Sequence, residues 1–121
     1  LEREIRERHS VESVSLTFDV RDLTQVRSTL GRAVDLLSKL DILINNAGLA
    51  LALDSVQAGD PADWDQMIDT NVKGLLYVTR TVLPGMVERG GGHIVNVGSI
   101  AGPSIACCRP RRPLAISSHA P

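Results

Sequence analysis

Aromatic residues are scarce: Phe18, Trp64 and Tyr77 are all the chain has, so any core must be aliphatic. Cysteine is scarcer still. Cys107 and Cys108 are adjacent and cannot build a disulfide framework, and no activating neighbour marks them as reactive thiols. Charge of one sign is missing too, since a formal net charge of −1 offers no footing for nucleic acid or an anionic membrane. No apolar run approaches the ~20 residues that a membrane helix needs. The opening residues, Leu-Glu-Arg-Glu-Ile-Arg-Glu-Arg, are charged throughout and do not form a signal peptide. Position 1 is Leu rather than Met, which is the look of an internal start. His9, His93 and His119 have no ligand-like spacing, so no metal is assigned. A reducing, cytoplasmic setting is the expectation.

What is present alternates. Leu1 to Arg8 reads as the end of a charged helix. Val11 to Val20 reads as a strand, with Val14, Leu16 and Phe18 alternating against Ser15 and Thr17. Asp22 offers a helix N-cap with Gln25 three residues on, and Leu23, Val26, Leu30, Ala33, Val34 and Leu37 continue at helical spacing. One amphipathic helix over 22–39 is predicted. Ile42 to Ile44 is a short buried strand, and 49–59 a loop or irregular turn. Asp60-Pro61 starts the next helix: Asp caps, and Pro at the first helical position forfeits an N–H that would be orphaned anyway. That helix runs through Trp64, Met67, Ile68, Leu75, Val78 and Val82 to about Pro84. Tyr77, between apolar neighbours, reads as packing rather than chemistry. Gly90-Gly91-Gly92 is a turn, and Ile94 to Val97 the third strand. Helix and strand in strict alternation predict an α/β fold with a parallel sheet and right-handed crossovers.

Two stretches then stand out, Asp41-Ile-Leu-Ile-Asn-Asn-Ala-Gly48 and His93-Ile-Val-Asn-Val-Gly-Ser-Ile-Ala-Gly102. Each is an aliphatic run that ends abruptly in small polar residues. In open α/β sheets ligands sit outside the carboxyl ends of the strands. Candidate chemistry therefore lies at Asn45 to Gly48 and at Gly98 to Gly102. Taken alone, Asn45 and Asn46 could simply end a strand, since Asn tolerates turn conformations.

With Asp19-Val20 after the first strand, Asn45-Asn46-Ala47-Gly48 after the second, Asn71-Val72-Lys73-Gly74 in the middle helix and Gly98-Ser99 after the third, the chain resembles the short-chain dehydrogenase/reductase family over roughly residues 1–102. Trp64-Asp65-Gln66-Met67-Ile68-Asp69-Thr70-Asn71 and Leu83-Pro84-Gly85-Met86 look most like the branch that oxidises 3-hydroxy acids and β-hydroxy amino acids with NADP. The resemblance implies a doubly wound Rossmann sheet, three layers α/β/α, of which strands 3, 4 and 5 are represented. It implies NADP or NAD as cofactor, a small alcohol or carbonyl as substrate, and homo-oligomers among intact members. It implies that Asp19 accepts a hydrogen bond from the adenine amino group with Val20 in support, that Asn46, Ala47 and Gly48 pass close to the adenosine ribose, that Ser99 holds the substrate oxygen, and that Asn71 anchors a water in a proton relay. A side-chain bond to backbone is the competing reading of Asn71.

The same resemblance shows what this sequence does not contain. There is no Gly-x-x-x-Gly-x-Gly turn to hold a diphosphate and no Tyr-x-x-x-Lys. Family spacing from Ser99 leads to Arg112 and Ile116, and an arginine cannot give up its proton near neutral pH. In the family's strand order, 3-2-1-4-5-6-7, two strands lie between the first and second strands read here. At ~4.8 Å per step that is a gap of about 14 Å, leaving backbone groups unpaired, with sliding or recruitment of another copy as the ways to fill it. After Gly102 the pattern dissolves into prolines, arginines and serines; 103–121 is expected to be an irregular, disordered tail, as a reading-frame shift would produce. The expected division is thus 1–102, a partial NAD(P)-binding domain, and 103–121. Two functions follow: a piece of an NAD(P)-dependent oxidoreductase that is inactive alone, or a non-catalytic piece that associates with intact homologues through its middle helix. A phosphoacceptor domain with Asp19 as acceptor fits less well, since it calls for an acidic cluster and a following lysine at the strand ends.

Overall fold

The computed structural model describes residues 2–51 and 54–99. The expected tail, 103–121, lies outside them, as do Arg112, Ile116 and the cysteine pair. In chain order the elements are α1 (Glu2–His9), α2 (Leu23–Gly31), α3 (Val34–Leu37), β1 (Ile42–Asn45), α4 (Pro61–Ile68), a π-helical segment (Asp69–Gly74), α5 (Leu75–Glu88) and β2 (His93–Asn96). β1 and β2 pair in parallel, Ile42 against His93 through Asn45 against Asn96, as the α/β reading requires.

The strand expected over Val11–Val20 does not form; among the described residues the sheet has two strands. Its alternation is there, but a strand exists only where a neighbour takes its backbone hydrogen bonds. Among the described residues no other strand lies beside it. Nor does the segment slide onto β1. Val11, Val14 and Leu16 are left exposed, and Phe18 alone of the alternating set packs against the core.

The helix expected over 22–39 is two helices. Asp22 caps as predicted, accepting from the backbone N–H of Thr24 at 2.8 Å and of Gln25 at 3.1 Å. At Gly31 the ladder tightens to i→i−3 bonds, Arg32 to Thr29 and Ala33 to Leu30, and α3 restarts at Val34. Val34, on the predicted apolar face, consequently ends up exposed. Asp60 and Pro61 start α4 as predicted, with Asp60 accepting from Ala62 N–H at 2.9 Å. The middle helix runs past Pro84 to Glu88 and ends in a Schellman motif: Gly90 takes φ +72°, its N–H bonds Val87 O, and Gly91 N–H bonds Met86 O at 3.0 Å. Gly92 then lies so close to Met86 that a Cβ there would sit 2.6 Å from the thioether sulfur.

The core is small. Val26 and Leu30 of α2 and Val82 and Met86 of α5 are buried, with Phe18, Leu37, Leu40, Leu43, Tyr77, Val78 and Ile94 packed around them. Tyr77 is a packing residue, as read. The two helices cover one face of the sheet through Leu43 and Ile94; Ile42 and Ile44 on the other face are 56% and 61% exposed. Arg89 locks the closing turn by donating to Ser38 O, Gly85 O and Leu40 O, tying the end of α5 to the entry of β1. Leu30→Ala should therefore cost about 2–4 kcal/mol in urea unfolding followed by circular dichroism, whereas Ile44→Ser should change stability by less than about 0.5 kcal/mol because its side chain already faces water.

Candidate functional site

The parallel register decides what meets at the sheet edge. With Asn45 opposite Asn96, the turns that follow leave side by side, and Gly48 and Ser99 each stand three residues beyond the matched ends. The matched asparagines are themselves bonded. Asn45 Nδ2 donates to Asn96 Oδ1 at 2.9 Å and to Thr79 Oγ1 of α5 at 3.0 Å. Asn45 thus ends β1, as read, and also pins both strand ends to the helix beneath them. Thr79 and Asn96 were not singled out from sequence, although paired asparagines closing two aliphatic runs are a visible signal.

Asn71 sits within the π-helical segment, a widening of the helical ladder often found at functional sites. Its amide bonds both backbone groups of one residue: Oδ1 accepts from Leu49 N–H at 2.9 Å, and Nδ2 donates to Leu49 O at 2.8 Å. The turn after β1 is therefore clamped to the middle helix. A Cβ at position 48 would meet Asn71 Oδ1 at 3.4 Å, so glycine lets turn and clamp approach closely. The side-chain-to-backbone bond weighed as the competing reading of Asn71 is present.

Val20 reaches the same place from the other side. Gly74, buried at the end of the π segment, leaves a notch that Val20 fills; a Cβ on Gly74 would lie 2.8 Å from Val20 Cγ2. Beside this contact opens a cleft of about 160 Å³ lined by Phe18, Val20, Asn45, Asn46, Ala47 and Gly74 among others. Three of the residues expected at the cofactor, Val20, Asn46 and Ala47, line this one cleft; Gly48 follows directly, and Asp19 stands between the lining residues Phe18 and Val20. Ser99 is exposed, beyond β2 on the neighbouring turn.

Asp19 is held by a residue the sequence reading passed over. Arg21 Nε donates to both carboxylate oxygens at 3.0 Å, Nη2 to Oδ2 at 2.7 Å, and the Arg21 backbone N–H to Oδ1 at 2.9 Å. These bonds lower the Asp19 carboxyl from 3.8 to about 2, and Asp19 in turn raises the Arg21 guanidinium. Gln25 completes the knot: its Oε1 accepts from Asp19 N–H at 3.2 Å and its Nε2 donates to Asp22 Oδ2 at 3.0 Å, and its backbone N–H, followed by that side-chain bond, lowers the Asp22 carboxyl as well. On the π segment, Asp69 pairs with Lys73 at 2.7 Å and raises the lysine. Among the described residues no three His, Cys, Asp or Glu side chains come together as metal ligands, and no helix is long and apolar enough to cross a membrane.

As a sequence, residues 1–108 match the family model of the short chain dehydrogenases. Over 84 residues, 69% of this chain and 34% of the relative, it is 52% identical to the NADP-dependent 3-hydroxy acid dehydrogenase YdfG of Shigella flexneri. Serine dehydrogenase from Escherichia coli superposes with a TM-score of 0.66 at 50% identity, covering 70% of this chain and 39% of that one. An NAD+-bound xylitol dehydrogenase superposes with a TM-score of 0.78 at 34% identity, covering 85% and 39%. The chain thus spans about a third of the length of the curated relatives it matches.

Two measurements check this geometry. Asn71→Ala removes both bonds to Leu49 and should cost about 1–2 kcal/mol in urea unfolding, with the Leu49 amide shifting in NMR spectra. Asp19 should titrate low. Because its folded pKa is depressed, the bonds it accepts are fully present above 3.8 and are lost as the pH falls through about 2. Arg21 Nε–H should therefore change its NMR signal in that window, and Arg21→Ala should return the Asp19 carboxyl toward 3.8.

Proposed function

Because the chain belongs to the short chain dehydrogenase family, we propose that its 121 residues form the adenosine-side portion of an NAD(P)-dependent oxidoreductase. The reaction is hydride transfer between the nicotinamide cofactor and a secondary alcohol or carbonyl. The relatives' names favour NADP as cofactor and a 3-hydroxy acid or β-hydroxy amino acid as substrate. The observation that carries the reading is the shared edge: one parallel register sets the Asn46–Gly48 turn beside Ser99, with Asn71 clamping the first turn from the helix below.

The residues present fit one end of the cofactor. The cleft beside Val20, Asn46 and Ala47 has room for a flat heterocycle against aliphatic side chains, and Asp19, between two of its lining residues in the chain, would offer an exocyclic amine an acceptor. Gly48 lets backbone pass near a ribose without a side chain in the way. When bound, the dinucleotide supplies the hydride donor or acceptor. In this reading Asp19, Val20, Asn46, Ala47 and Gly48 hold its adenosine end. Ser99 accepts or donates a hydrogen bond at the substrate oxygen, and Asn71 fixes the turn that both ends share. The other requirements are not in this sequence: no glycine-rich turn for the diphosphate and no Tyr-x-x-x-Lys to move the proton. The chain by itself is thus a binding element without its acid–base group, in a cytoplasmic setting, with residues 103–121 an appendage to the 1–102 unit.

A second reading rests on α5. Leu76, Leu83 and Val87 are exposed along one side of it, around a shallow apolar groove of about 620 Å³. An aliphatic stripe on an otherwise intact helix suits association with an intact homologue, which makes the chain a non-catalytic partner.

Both readings are tested with the purified chain and NADP plus 3-hydroxy acids or serine, alone and after mixing with a full-length relative. We expect no reduction of NADP by the chain alone. Turnover by the 121 residues free of other dehydrogenase would contradict the oxidoreductase-piece reading. Co-purification that Leu83→Lys abolishes would favour the second.

A further inference from the structure

The backbone that follows the Asn46–Gly48 turn is held to the helix below at two points. Asn71 takes Leu49. Met67, on the last turn of α4, takes Leu51: its thioether Sδ accepts from the Leu51 backbone N–H at 3.3 Å. Side chains four apart share a helix face, so the two grips stand one above the other. Trp64, three residues before Met67, lies so close to Gly59 that a Cβ there would sit 2.9 Å from the indole ring. One face of the middle helix thus carries Leu49, Leu51 and Gly59.

Of these contacts the sulfur is the one open to chemistry. A thioether is a weak acceptor, and it takes up oxygen readily. The chain has two methionines, and their settings differ. Met86 is 3% exposed, closed into the aliphatic core with Gly92 hard against it. Met67 is half-buried, at the surface of α4. An oxidant in solution therefore reaches Met67 first. No oxygen fits on the line between its sulfur and Leu51 N. An N–H···O bond alone takes about 2.9 Å, and the whole gap is 3.3 Å. Once the sulfur is oxidised, the Leu51 backbone either moves outward to meet the new oxygen or faces a sulfur that has spent one of its lone pairs.

We propose that Met67 is a modification site for hydroperoxides, and that its sulfoxide loosens Leu51 from α4 while Asn71 keeps its hold on Leu49. The step balances. A sulfur lone pair attacks one oxygen of the hydroperoxide, the S–O bond forms as the O–O bond breaks, and the departing oxygen takes a proton and leaves as water or an alcohol. Sulfur is oxidised and the hydroperoxide reduced by the same electron pair. A thiol-driven sulfoxide reductase reverses the change. The inference goes beyond the cofactor reading and does not rest on it, because it concerns only how the chain after Gly48 is fastened.

The test treats the uniformly 15N-labelled 121-residue chain with dilute hydrogen peroxide. Peptide mass spectrometry follows oxygen uptake at each methionine, and NMR follows the exchange of the Leu49 and Leu51 amides. Met67 should take up oxygen several-fold faster than Met86. As it does, the Leu51 amide should shift and exchange several-fold faster, with the Leu49 amide changing less. Methionine sulfoxide reductase with a dithiol should restore the first spectrum. Met67→Leu keeps an aliphatic side chain of similar volume without the acceptor, and it leaves every other oxidisable group in place. In that variant Leu51 should exchange as fast as in the oxidised parent, and peroxide should change it no further. An unchanged far-UV circular dichroism spectrum shows that variant and oxidised parent remain folded. Oxidation of Met86 as fast as Met67 overturns the site. A Leu51 amide that stays as protected in the Met67 sulfoxide or in Met67→Leu as in the untreated parent overturns the role of the sulfur.

Discussion

Four backbone positions of β1 lie beside four of β2, and that parallel pairing is what the Asn46–Gly48 turn and Ser99 depend on for their place. Neither strand would hold alone. Each is too short to bury much surface, and a two-stranded sheet is marginal in water unless something packs on it. Here the support is α5, with α2 beside it. Leu43 and Ile94 enter the aliphatic cluster of Val26, Leu30, Val82 and Met86, while Asn45 fastens the strand ends to Thr79. The turns that carry Asn46–Gly48 and Ser99 start from those fastened ends. Loosening the pair would scatter the site without touching any residue in it.

The site itself is stitched by polar side chains that act on backbone and on one another. Asn71 grips Leu49, Gln25 and Arg21 grip Asp19, and Arg89 grips the carbonyls leading into β1. Each of these is exposed or half-buried, so each is worth little singly. Together they fix the ends of short elements in a chain whose core is too small to do so by packing. The π segment fits that pattern. By widening the helix at Asp69–Gly74 it presents Asn71 to the turn above and buries Gly74 beneath Val20, so one irregular stretch serves both sides of the cleft.

Much of this was legible from residues alone. The alternation of helix and strand gave the α/β class. Asp22, and Asp60 with Pro61, marked helix starts that the structure keeps. The abrupt ends of the aliphatic runs marked, to within a residue, where both strands stop. The strand at Val11–Val20 was misread because period-2 alternation reports a chain fit for pairing, not the presence of a partner. The break at Gly31 was hidden for a similar reason: apolar spacing continued through it, while the backbone took a tighter turn. Arg21 was passed over because an arginine beside an aspartate is common on surfaces. Only the geometry shows that its fork grips the carboxylate.

Amide hydrogen exchange of the dilute 121-residue chain, read residue by residue, tests the account most directly. The amides that join β1 to β2, and Val97 bonded to Asn45 O just beyond them, should be the most protected of the sheet, while 12–17 exchange at rates near those of an unstructured peptide. Protection across 12–17 equal to that of the strands, or none in β1 and β2, would contradict it.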